Sequence, residues 1–104
     1  MTDRDYTNKS QQRMASALWA LLEHGARGAA PHRLAEDLNV PRGVITRDLF
    51  NLREARMTER TAEGNRYRIS AELAKKTLLI LRDIDRMEEE VSRLRDRYTD
   101  IGDA

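Results

Sequence analysis

Between Leu73 and Ile101 the residues Leu73, Thr77, Ile80, Ile84, Met87, Val91, Leu94, Tyr98 and Ile101 succeed one another at alternating steps of four and three. Such steps keep one stripe on one side of an α-helix and match the a and d positions of a heptad. With Ile80, Met87, Leu94 and Ile101 at d, the a positions fall to Thr77, Ile84, Val91 and Tyr98. A helix of about 28 residues is about 40 Å long at about 1.5 Å per residue. The 70 residues that precede it form too small a body to cover such a rod, because small domains bury proportionally less surface. Its apolar stripe must meet another chain or fold back over its own domain. Around Leu78 to Leu81 the apolar surface widens, so this part is expected to pack on the preceding domain while the seam from Ile84 onward meets a partner.

The charges beside the seam bear on orientation. In a parallel pair Asp83 at g faces Glu88 at e, which is unfavourable, while Glu90 faces Arg95 favourably. With Val91 opposite Leu94 of an antiparallel copy, Glu90 meets Arg97 and Glu88 meets Arg95, all opposite in sign. Electrostatics therefore lean antiparallel, although exposed pairs contribute only about 0 to 1 kcal/mol each.

Before this helix the hydrophobic spacing describes shorter elements. Residues 1–9 read as a flexible segment. Residues 10–24 place Met14, Leu18, Leu21 and Leu22 at helical spacing, with Gly25 just past the end. "GARGAA" reads as a loop, and Pro31 opens a second helix to about Leu38. The break at Asn39, Val40 and Pro41 has a local cause: Asn tolerates the left-handed turn conformation, and Pro starts a helix better than it continues one. A third helix follows to about Arg56, with Ile45, Leu49, Leu52 and Arg56 on one stripe. "MTER" and "RYRI" then read as two strands around a Gly64-Asn65 turn, with Met57, Tyr67 and Ile69 inward and Thr58, Arg60, Arg66 and Arg68 outward. Ser70 is a suitable N-cap for the last helix.

Three helices with a tight turn before the third, then a basic hairpin, is the order of a winged helix-turn-helix. "LAEDLNVPRGVITRDLFNLREARMTER" followed by "GNRYRIS" resembles the N-terminal DNA-binding domain of IclR-type transcriptional regulators and, more loosely, MarR- and ArsR-type domains. The resemblance covers about residues 12 to 70. It rests on the Leu34-Ala35 pair, Leu38, the Val40-Pro41 turn, the Ile45, Leu49, Leu52 ladder and the closing "RYRIS". This chain departs from the family at Asn39 and Arg56, where a glycine is usual, and the small-molecule sensing of the family's large second domain is not expected of it. The expected fold is mainly α with a small β-hairpin: a winged helix-turn-helix over 10–70 and a coiled-coil-like C-terminal dimerisation helix over 71–101.

If Ile45 and Leu49 face inward, then at about 100° per residue Gly43, Thr46, Arg47 and Phe50 lie on the outer side of the third helix with Arg42 and Asn51 at its margins. Arginine can pair with guanine, asparagine with adenine, and a threonine methyl or phenylalanine can touch a thymine methyl. Gly43 would let backbone approach closely. Arg60, Arg66 and Arg68 on the hairpin suit phosphates or a minor groove. These nine residues are the expected DNA contacts, with helix 41–56 in the major groove and wing 57–69 on the backbone. Each has a plainer reading: Arg47 as a solvated side chain with Asp48 weakening the local field, Phe50 packed under the wing or against the N-terminal segment. Trp19 and Tyr67 are expected in or at the edge of the core, and His24 and His32 as surface residues without a role.

Composition narrows the function classes. With 39% hydrophobic and 36% charged residues the chain reads as helix-rich with a modest core and a heavily solvated surface. Residues 1–70 hold 12 basic and 9 acidic residues and residues 71–104 hold 7 and 9, so a basic front and an acidic back point to different partners. Of 19 basic residues 16 are arginine, which suits phosphate and base-edge contacts and equally reflects a GC-rich genome. Cysteine is absent, which excludes disulfides, thiolate metal sites and thiol nucleophiles, and two histidines make a poor metal site. No apolar run approaches the roughly 20 residues of a membrane span, and the start "MTDRDYTNKS" lacks a signal peptide's apolar region. A cytoplasmic, nucleoid-associated location is expected. No enzyme, cofactor, metal or small-molecule ligand is expected, since no phosphate loop, nucleophile-base pair or paired carboxylates can be assembled. The expected partners are double-stranded DNA and a second copy of the chain, joined through Ile84, Met87, Val91, Leu94, Tyr98 and Ile101. The alternative is a protein-interaction adaptor in which the winged domain is a scaffold and the long helix captures a different partner.

Overall fold

The computed structural model describes residues 4–100. It comprises α1 (Lys9–Glu23), a short 3₁₀ turn (Gly25–Arg27), α2 (Pro31–Leu38), α3 (Arg42–Glu54), β1 (Thr58–Arg60), β2 (Tyr67–Ile69) and α4 (Ala71–Thr99). The chain divides into two units, Met1–Leu73 and Ala74–Ala104.

In the first unit α1 begins where the Asn8 side chain accepts the Gln11 N–H at 3.0 Å. Helices α1, α2 and α3 pack round Leu21, Leu34, Ile45 and Leu49, all fully buried, with Ala17, Ala35, Leu52 and Tyr67 completing the core. Full burial of one such aliphatic side chain stabilises the fold by about 1.5 to 3 kcal/mol. α1 differs from its reading in sequence at two positions. Leu22 is half exposed and Ala17 takes its place on the buried face, because the face is centred between Ala17 and Leu21 and Leu22 lies about 100° beyond it. Trp19 is 73% exposed and belongs to no core, since it projects from the side of α1 opposite Ala17 and Leu21.

Two helix ends share one geometry. At Asn39 (φ 54°) the Asn39 N–H donates to the Glu36 carbonyl at 3.2 Å and the Val40 N–H to the Ala35 carbonyl at 3.0 Å. At Arg56 (φ 64°) the Arg56 N–H donates to Arg53 at 2.8 Å and the Met57 N–H to Leu52 at 2.9 Å. Both are Schellman ends with a left-handed residue after the helix, a place usually given to glycine. Arg56 therefore lies outside α3 and off its apolar stripe, which corrects its assignment there, and the turn into the hairpin is made despite the side chain.

β1 and β2 pair antiparallel with Thr58 opposite Ile69, Glu59 opposite Arg68 and Arg60 opposite Tyr67. Met57, just before β1, packs against the core as read in sequence, and Thr58, opposite Ile69, turns inward as well. Thr58 is buried, not outward, and its hydroxyl donates to the Leu49 carbonyl at 3.2 Å. The loop after α1 also joins the sheet: Ala29 and Tyr67 exchange both backbone hydrogen bonds at 2.9 Å. Gly28 (φ 71°) makes this possible, since a Cβ there would collide with the Tyr67 carbonyl.

Ser70 closes the unit as the N-cap of α4. Its hydroxyl accepts the Leu73 N–H at 3.0 Å and donates to the Arg56 carbonyl at 2.7 Å. In the second unit α4 runs to Thr99, and its described residues from Ala74 onward are exposed. That includes Leu78, Leu79, Ile80 and Leu81.

Candidate nucleic-acid interface

The rotation of α3 decides what it offers to solvent. Ile45, Leu49 and Leu52 are buried, and Asp48, in the same stripe, is only 3% exposed. A carboxylate there needs a cation, and Arg13 of α1 supplies it as a fork: Nε to Oδ2 at 2.6 Å and Nη2 to Oδ1 at 2.8 Å. The bond to Asp48 raises the Arg13 pKa above its ordinary value. This pair pins α3 against α1. It removes Asp48 from the outer surface, where it was expected to weaken the field of Arg47.

With the stripe inward, Arg42, Gly43, Thr46, Arg47, Phe50 and Asn51 are all exposed. Among the described residues Arg42 and Arg47 have no ion-pair partner. Thr46 Oγ1 donates to the Arg42 carbonyl at 2.9 Å and Asn51 Nδ2 to the Arg47 carbonyl at 2.9 Å. Short polar side chains make such local bonds on an exposed helix face, and exchange them readily. Beyond Gly43 there is open space where a side chain would be. Phe50 is half exposed, so one side of its ring is available.

The three hairpin arginines differ. Arg68 is spent on structure: Nε and Nη2 donate to Glu59 Oε2 at 3.0 and 2.9 Å, and Nη1 to the Ala26 carbonyl at 3.3 Å. Arg60 lies over the Tyr67 ring at 5.3 Å and donates to the Tyr67 hydroxyl at 3.3 Å and the Gly64 carbonyl at 3.1 Å, which stiffens the turn. Arg66 is exposed and has no ion pair among the described residues. Glu59 also accepts the Ala71 N–H at 2.8 Å. That backbone bond, and after it the Arg68 side chain, holds its carboxyl below the usual glutamate range.

On α4 the a and d residues Ile84, Met87, Val91, Leu94 and Tyr98 are all exposed, and Ile101 lies outside the described residues. Among the described residues no group of His, Asp or Glu is placed to hold a metal ion, and no helix is long and apolar enough to cross a membrane. Two features escaped the sequence reading. The Arg13–Asp48 pair was signalled by an acid about 40° from Leu52, at the edge of the Ile45, Leu49 and Leu52 stripe on the helical wheel. The exposure of Trp19 was signalled by its position about 160° from Leu21.

No family model matches the sequence, and no curated protein is significantly similar to it. Among solved structures, the crystal structure of Pseudomonas aeruginosa HmgR is similar, with a TM-score of 0.64 and 26% identity over 75% of this chain. The match covers 33% of the HmgR chain, so the present chain spans about a third of that protein's length. Together with the element order this is a winged helix-like fold followed by a long C-terminal helix.

Proposed function

We propose that the chain is a small homodimeric, sequence-specific DNA-binding protein acting as a transcriptional regulator. The observation that carries the reading is the outward face of α3, where Arg42, Thr46, Arg47, Phe50 and Asn51 stand exposed while Ile45, Leu49 and Leu52 anchor the opposite side. In this reading α3 enters the major groove. Arg42 or Arg47 pairs with guanine and Asn51 with adenine, each bidentate contact discriminating by about 1 to 3 kcal/mol. Thr46 and Phe50 supply apolar contact, and Gly43 allows close approach. On the wing Arg66 meets phosphate directly, while Arg60 and Arg68 add field from fixed positions. Two copies join through Ile84, Met87, Val91, Leu94, Tyr98 and Ile101 and read two-fold related half-sites. The winged fold and the likeness to HmgR support the regulator reading.

A titration of labelled duplex DNA at two salt concentrations tests this. Binding is expected to weaken steeply with salt, and Arg47→Ala to reduce affinity by about 10-fold or more at a preferred site, in line with about 1 to 3 kcal/mol for a base contact. Light scattering of the intact chain and of a truncation after Leu81 tests the pairing, which the truncation should abolish. The adaptor reading draws on the weak charge of the front domain, 12 basic against 9 acidic residues. Salt-independent absence of DNA binding by a dimeric or partner-bound chain would favour it.

A further inference from the structure

We infer that the cleft between the 3₁₀ turn and the wing tip holds one phosphate of the DNA backbone, gripped by Arg27 and Arg66 in place of the Glu63 carboxylate. This rests on the reading that the winged domain binds DNA, and it adds a contact from the turn after α1, outside both α3 and the wing.

Arg27, Thr61, Glu63, Asn65, Arg66 and Arg68 line this cleft, which encloses about 520 Å³. All of them belong to the first unit. Both walls are fixed before any ligand arrives. On one side Arg68 Nη1 donates to the Ala26 carbonyl at 3.3 Å, and Ala29 and Tyr67 exchange backbone bonds at 2.9 Å, so the turn that carries Arg27 is tied to β2. On the other side the Gly64 N–H donates to the Thr61 carbonyl at 2.8 Å and the Thr61 N–H to the Arg66 carbonyl at 2.9 Å, which closes the tip that carries Asn65 and Arg66. Walls set in advance spare part of the ordering cost of binding.

The donors of the cleft are unspent. Arg27 and Arg66 are exposed and make no ion pair among the described residues. Thr61 is only 7% exposed, and its hydroxyl oxygen is buried without an aligned hydrogen-bond partner. Buried hydroxyls are ordinarily satisfied, so one left open beside a cleft marks a place for a further polar group. Glu63 shows which kind. Its carboxyl is held below the usual glutamate range by its own backbone N–H first, then by the nearness of the Thr61 hydroxyl, with Arg66 and Arg68 adding attraction. Yet it closes no ion pair on either free arginine among the described residues. The cleft draws an oxyanion, and the internal one fills it poorly. Two guanidinium forks, an amide and a hydroxyl on facing walls suit the tetrahedral oxygens of a phosphate better than one flat carboxylate.

Anisotropy titrations of labelled duplex DNA with the intact chain test this. Arg27→Ala removes an exposed side chain and should leave the circular dichroism unchanged. It should weaken binding by about 3- to 10-fold, equally for a preferred and an unrelated duplex, and lower the salt slope by about 1, as for one lost phosphate. Glu63→Gln should tighten binding by about 3-fold, and in the Arg27→Ala chain that gain should fall by at least about half, because the two side chains act on one phosphate. Equal gains in both backgrounds would reveal a general charge effect and overturn the inference. Duplex binding whose affinity and salt slope ignore Arg27→Ala overturns it too, and leaves the α3 reading intact. If inorganic phosphate alone shifts the Arg27 and Arg66 Nε resonances while duplex binding ignores Arg27→Ala, the cleft takes free phosphate and the DNA backbone is the wrong source. A chain that binds no duplex at all removes the DNA reading, and this contact with it.

Discussion

In the first unit Leu21, Leu34, Ile45 and Leu49 are fully buried by three helices and a hairpin, whereas on α4 Leu78, Leu79, Leu81 and Leu94 remain about half exposed. The same side chain serves two purposes. In the winged unit leucines meet partners close in sequence, so burial is complete within about 70 residues. On α4 they are ordered along one helix at heptad spacing, without a core of their own within that unit. The difference teaches that apolar periodicity marks a surface to be covered without naming what covers it.

The comparison can be tested with one substitution made on each side. Leu49→Ala should destabilise the chain by about 2 to 5 kcal/mol in denaturant titrations, independent of protein concentration, because it leaves a cavity in a closed core. Leu94→Ala should change the unfolding of the monomeric chain by no more than about 0.5 kcal/mol and alter only the concentration-dependent part. If Leu94→Ala proves equally costly in dilute solution, α4 is covered by its own chain and the contrast collapses.

A smaller effect lies where the hairpin meets α4. Ser70→Ala removes both the cap on Leu73 and the bond to the Arg56 carbonyl, and should cost about 1 to 2 kcal/mol by thermal unfolding. Smaller still, and opposite in sign, Arg56→Gly should raise stability by about 0.5 to 1 kcal/mol, since it relieves a left-handed residue at φ 64° and loses only an exposed pair with Glu72.

The last effect depends on pH. The Glu59 carboxyl is held low chiefly by the Ala71 N–H and then by Arg68. Its folded-state pKa lies below the unfolded one, so the stability it contributes is present above the ordinary glutamate value of about 4.3. That stability is lost as pH falls through the lower folded-state value. Melting temperatures of the wild type and Glu59→Gln should differ near neutrality and converge in acid. Parallel curves down to the acid limit would show that the clamp contributes nothing.

Much of the fold was legible because it depends on local chemistry. Asn39, Pro31 and Ser70 mark helix boundaries by conformational preferences any chain would express, and Ile45, Leu49 and Leu52 show their face by spacing alone. The readings that failed needed knowledge of a neighbour. Trp19 was expected in or at the edge of the core, but only an open groove beside α2 borders it and it is 73% exposed. Thr58 was expected outward, but its hydroxyl donates to the Leu49 carbonyl of α3 and the side chain is buried. Asp48 looked like a surface acid until Arg13, 35 residues away, was seen to reach it. The outward residues of α3 could be named from sequence because they are the complement of a strong apolar stripe. Which hairpin arginine stays unpaired could not, because Arg66 and Arg68 look alike until Glu59 is placed opposite one of them.

What the chain carries in its letters is therefore the order and length of its helices, the turn before α3 and the heptad seam of α4, all of which follow from steric preference and periodicity over a few residues. What tertiary structure alone decided is the pairing of distant groups: Arg13 with Asp48, Ala29 with Tyr67, Glu59 with Arg68 and the Ala71 N–H. Those contacts join residues with no local preference for one another. They exist because packing the apolar faces brings the groups together and removes the water that would otherwise satisfy them.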